Sequence, residues 1–111
     1  MPIIVNTEDT VVTRQGDGWM EITLTDAGMI GEPVMVARRW LLKPNAKGPE
    51  LVHNDTDQLL YVIRGSGSAI VNGEEMLLSD ESVLWLEPGE RYQFITRENK
   101  LEILQGYAPG D

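Results

Sequence analysis

The chain is a succession of short runs rich in Val, Ile, Leu, Thr, Trp and Tyr, each broken within a few residues by Gly, Pro, Asn or Asp. That rhythm leaves little room for a helix of ordinary length and suits strands joined by tight turns. Strands are expected at Ile3 to Val5, Val11 to Arg14, Trp19 to Thr25, Val34 to Lys43, Leu51 to His53, Gln58 to Arg64, Ser66 to Val71, Glu75 to Leu78, Ser82 to Leu86, Arg91 to Thr96 and Leu101 to Tyr107. No stretch carries a helical period. The sharpest local signal is Val71-Asn72-Gly73-Glu74, because Asn-Gly tolerates the positive φ angles of a two-residue type I′ hairpin. So dense a ladder must protect its edges, and a sandwich or a closed barrel does so.

At 111 residues one domain spanning 1–111 is expected, with residues 1–33 as an N-terminal arm and strands, Ala27 to Pro33 reading as a loop. The arm either packs on a second subunit or covers one end of its own barrel. Eighteen acidic against nine basic residues give a formal net charge of −9, which repels phosphate backbones and anionic membranes. Neither nucleic acid nor membrane is expected as a partner, and no apolar run reaches the roughly 20 residues that span a bilayer. Met1 to Asp9 lacks the pattern of a secretory signal. With no cysteine there is no disulfide, thiolate nucleophile or cysteine-bound metal, and the expected residence is cytoplasmic.

Two sets of positions carry chemistry. Asn45, Leu51, His53, Gln58 and Gly65 form the first, and Glu81, Glu87, Gly89, Tyr92 and Thr96 the second. Their spacing resembles the cupin superfamily, whose motifs read roughly G-x5-H-x-H-x4-E-x6-G and G-x5-P-x-G-x2-H-x3-N. In the first motif Asn45 stands at the opening glycine, Leu51 and His53 at the two histidines, Gln58 at the glutamate and Gly65 at the closing glycine. In the second, Gly89 matches, Pro88 sits one residue late and Tyr92 takes the histidine position. The resemblance covers Asn45 to Thr96 and implies an all-β fold, a cupin-type double-stranded β-helix or jelly-roll barrel.

The same resemblance implies a site inside the barrel. Metal-binding members of the superfamily present three histidines and a glutamate, ligands suited to borderline transition metals. Here the matching residues are Leu51, His53, Gln58 and Tyr92, of which only His53 is a strong donor. No metal or other cofactor is therefore expected. If a divalent transition metal binds, a shifted register offers His53, Asp55, Gln58 and Tyr92; otherwise Asp55 and Asp57 belong to a solvated turn. Ligand-binding candidates are His53, Gln58, Tyr92 and Leu51, with His53 and Tyr92 as candidate catalytic groups.

Other residues read more plainly. Trp40 and Trp85 suit core or dimer interface, and Met20, Met35 and Met76 suit core filler. Arg38, Arg39, Arg64 and Arg91 could supply a cation for a carboxylate or phosphate, although strand arginines mostly face water or acidic neighbours. The first functional expectation is a binding module or sensor for a small organic molecule. The alternatives are a metal-independent isomerase, epimerase or cyclase with His53 as base and Tyr92 as acid, and a metal-dependent oxygenase or lyase. A homodimer is expected through the arm and the strands carrying Trp19 and Trp40.

Overall fold

The structure, a computed structural model, describes residues 11–25 and 36–107. The expected strand at Ile3 to Val5, the loop at Ala27 to Pro33 and Met35 lie outside the described residues. Among the described residues ten strands run in chain order: β1 Val11–Gly16, β2 Trp19–Thr25, β3 Val36–Leu42, β4 Leu51–Val52, β5 Gln58–Gly65, β6 Gly67–Val71, β7 Glu74–Leu78, β8 Val83–Leu86, β9 Arg91–Ile95 and β10 Leu101–Tyr107. Among the described residues there is no helix, and so none long and apolar enough to cross a membrane.

All pairings are antiparallel. One sheet has the order β1-β2-β3-β10-β5-β8 and the other β4-β9-β6-β7. Their inner faces share one core, in which Trp40, Leu60, Val62, Tyr92, Phe94, Leu101 and Ile103 are almost fully buried. The period-two alternation that places them is plain on β5, where Gln58, Leu60 and Val62 turn inward while Leu59 and Tyr61 turn outward. Strand β7 at the edge of the smaller sheet is exposed up to Leu78. Met76 is therefore a surface residue and not core filler: its strand has a neighbour on one side only.

The turns follow from local chemistry. Val71 pairs with Glu74 across Asn72 and Gly73, whose φ angles of 50° and 86° are both positive, as the two-residue hairpin requires. Asn45 also adopts a left-handed conformation, at φ 57°. Thr96 then fixes the segment that follows it: its hydroxyl accepts from the Ala46 amide and donates to the Lys43 carbonyl, and its own amide donates to the Ala46 carbonyl. This clasp sets where the chain enters β4, and so where the first motif begins.

Candidate functional site

The polar groups of the barrel interior come from several strands and one strand end. Tyr92 lies on β9, and Leu51 pairs with it from β4. His53 follows β4 directly, and its carbonyl accepts a hydrogen bond from the Gly89 amide at 2.8 Å. The second motif thus anchors the backbone of the first motif's histidine. Gln58 opens β5, while β10 contributes Gln105 and Tyr107 from the face that also carries Leu101 and Ile103.

These side chains form one directional hydrogen-bond chain. The Trp40 indole N–H can only donate, and it donates to Gln105 Oε1 at 2.7 Å. The amide nitrogen of Gln105 must then face the other way. It donates to Gln58 Oε1 at 2.6 Å and to the Tyr92 hydroxyl oxygen at 2.8 Å. Gln58 Nε2 in turn donates to Thr56 Oγ1 at 2.8 Å. The Tyr92 hydroxyl lies 2.8 Å from His53 Nε2. With the phenol O–H as donor the imidazole carries its proton on Nδ1; with the other tautomer Nε2–H donates to the same oxygen, which has a second lone pair to receive it.

Electrostatics agree with a neutral imidazole in either case. Burial, and then the charges of Arg38 and Arg14, hold the His53 imidazole below its ordinary pKa of 6.5. Burial likewise pushes the Tyr92 phenol well above its usual range. A neutral imidazole and a protonated phenol therefore face each other at neutral pH. Their rings stack with centroids 5.8 Å apart, and Tyr107 lies 5.2 Å from the imidazole.

Beside this chain lies a charged group contributed by β1, β2 and β3. Glu21 is buried on β2; its carboxylate accepts from Arg14 Nη2 at 2.8 Å, from Arg14 Nε at 3.2 Å and from Thr13 Oγ1 at 2.7 Å. Burial alone would raise its pKa, but the Arg14 and Thr13 hydrogen bonds and the Arg38 charge outweigh that and hold the carboxyl below its usual range. Arg38 turns inward on β3. Arg39 and Arg64 instead pair with Glu102, and Arg91 with Glu50.

The structure brings His53 and Tyr92 into direct contact and joins Gln58 to them through Gln105. Leu51 lies beside Tyr92 with its side chain in the apolar core. Asp55 is exposed in the turn between β4 and β5. The sequence does not single out Gln105, Trp40 or Glu21 for the site, and it offers Arg38 only as one of four strand arginines able to supply a cation. The signal for Gln105 lies in β10, where an amide interrupts the apolar series Leu101, Ile103. A cleft of about 580 Å³ lies elsewhere; Trp19, Met20, Arg39, Lys43, Arg64 and Lys100 help to line it, and none of His53, Gln58, Tyr92 or Gln105 does.

The donor set does not suit a transition metal. Leu51 offers nothing, Tyr92 is held protonated, the Gln58 carbonyl accepts from Gln105, and His53 Nε2 is hydrogen-bonded to Tyr92. Among the described residues no three His, Cys, Asp or Glu side chains cluster as ligands would.

Two sheets closed around an inward-facing polar cluster define the class: a small antiparallel jelly-roll barrel. The Cupin domain family matches residues 38–104, and the chain belongs to it. Solved structures share the fold. KdgF from Halomonas sp. superposes with a TM-score of 0.77 at 16% identity, over 98% of this chain and 96% of that one. The polyketide cyclase RemF from Streptomyces resistomycificus gives 0.79 at 19% identity, over 97% and 80%. Streptomyces PAC13, a nucleoside dehydratase also solved with uridine, gives 0.78 at 16% identity over 98% and 83%. No curated protein matches the sequence.

Proposed function

We propose that this cupin barrel binds a small organic molecule against His53, at the part of the interior bounded by Tyr107 and Arg38, and that it does so without a resident metal. The observation that carries this reading is the chain from Trp40 through Gln105 and Tyr92, which terminates on one face of a half-buried imidazole. Such a chain holds the ring in place and leaves Nδ1 as its group for a ligand, a donor when Tyr92 gives its hydrogen to Nε2. Structural relatives include proteins that handle small molecules, uridine among them. Cytoplasmic residence belongs to the same reading, supported by the absence of cysteine.

A second reading is favoured by the pairing of a neutral base with a protonated acid. In the tautomer with Nε2–H donating to the Tyr92 oxygen, Nδ1 is bare and accepts a proton, and the pair then fits a metal-independent isomerase, epimerase or cyclase, in which a base near neutrality removes a proton beside a carbonyl. A cyclase and a dehydratase among the relatives support it. A metal-dependent oxygenase or lyase is disfavoured by the donor set among the described residues.

We further propose a homodimer, through a different surface from the one the tryptophans suggest. Trp40 is 1% exposed and Trp19 packs against it, so these indoles fill the barrel. Trp85, by contrast, is 60% exposed and not part of the core. Cross-strand pairing places it beside Leu59 and Val83 beside Tyr61, with Leu104 on the far side of Tyr61, in one outward apolar patch on the larger sheet.

Native mass spectrometry of the protein as purified, followed by His53→Gln, tests the binding reading. A bound small molecule that is lost in the variant supports it. An unchanged complement of bound molecule in a folded His53→Gln protein would overturn it.

A further inference from the structure

Arg38 stands apart from the other strand arginines. Its Nε is buried and has no hydrogen-bond partner among the described residues. The carboxylate oxygen nearest to it among the described residues, Glu21 Oε2, is 3.8 Å from its Nη1, too far for a hydrogen bond. Glu21 is already engaged by Arg14 on both oxygens and by Thr13. The guanidinium instead lies over the Tyr107 ring, 5.4 Å from its centroid, next to the ring that flanks His53. Among the described residues, two guanidinium groups and one carboxylate leave this corner of the barrel one positive charge in excess, inside a chain of net charge −9.

A buried donor left unpaired is costly, and a guanidinium is the group whose planar fork matches a carboxylate with two parallel N–H···O bonds. We propose that Arg38 is the anion-recognition residue of the barrel, and that the molecule bound against His53 is a small monocarboxylate. This rests on the binding reading above and names its ligand class. The carboxylate seats on Arg38 while the rest of the molecule reaches along Tyr107 to the imidazole. A monoanion balances the excess charge, whereas a dianionic phosphate would meet the Glu21 carboxylate close behind Arg38.

The test uses three probes that share a ring: benzoate, its neutral isostere benzamide, and phenyl phosphate. Each is titrated into the full chain while the Arg38 Nε–H and His53 ring resonances are followed by NMR. Benzoate should shift both saturably. Benzamide should bind about tenfold or more weakly, as should benzoate to Arg38→Gln, the loss expected for a charge-assisted hydrogen bond. Arg39→Gln, which alters the outer face, should bind benzoate as the parent does. Shifts at His53 of equal affinity for benzoate and benzamide would leave the binding reading standing and overturn the carboxylate assignment. Tighter binding of phenyl phosphate would also overturn it. No saturable shift at either residue would remove both.

Discussion

Gln105 shows how much can rest on a single amide. It is fully buried, and its side chain satisfies Trp40, Gln58 and Tyr92 at once. Gln105→Leu keeps the volume but strands a donor on Trp40 and an acceptor on Gln58, at about 1–3 kcal/mol each. Urea denaturation should register a loss of about 2–5 kcal/mol; a loss below about 1 kcal/mol would mean that the chain of bonds is not formed. His53 makes a prediction about pH. Its folded pKa is lowered by burial and by the Arg38 and Arg14 charges, so as pH falls below about 6.5 the unfolded chain takes up the proton first and folded stability declines. No other histidine exists in the chain. Between pH 7 and pH 5 the melting temperature should therefore fall more steeply for the parent than for His53→Gln, and equal slopes would refute the shift. Glu81 adds a smaller lesson: it stands where the family's second motif has glycine, and it keeps the left-handed backbone at φ 69°.

At the scale of strands, most of the architecture was legible in the order of residues. Strands β2 and β10 have the bounds expected, and others differ by a residue or two at their ends, because turn residues such as Asn72-Gly73 punctuate the chain with backbone requirements of their own. What the pattern could not supply was which face of a strand looks inward. On β2 the alternation opposes Met20, Ile22 and Leu24 to Glu21 and Thr23, and a hydrophobic reading turns the first set to the core. The structure buries Glu21 and Thr23 instead, since Arg14 and Thr13 on β1 are there to meet the carboxylate, and such a partnership is invisible from one strand. The motif positions did carry over to neighbouring places, which yields a test of register. Leu51→His, Gln58→Glu and Tyr92→His together should create a site in which added Ni or Zn raises the melting temperature, whereas the parent should stay nearly unchanged, because stabilisation follows RT ln(1 + [L]/Kd). A folded triple variant indifferent to metal would show that these positions do not converge closely enough to share an ion, and a large rise in the parent would show that ligands were overlooked.

At the scale of the molecule, the larger sheet is apolar on both faces over part of its width, and the outer part has no cover among the described residues. Val83 and Trp85 are each 60% exposed there, and a patch of this kind marks an interaction surface. Sedimentation should give twice the chain mass at micromolar concentration, and Trp85→Lys should return it to the single-chain mass without unfolding. A parent that sediments as one chain would rule out the pairing. The interior has a different asymmetry. The indole of Trp40 can give a hydrogen but never receive one, and the amide nitrogen of Gln105 has no free lone pair for a proton. A proton arriving at the imidazole thus finds no exit through the depths of the barrel. It can leave only the way it came, into whatever molecule or water stands at the mouth, so the interior is a blind alley for protons with a single door.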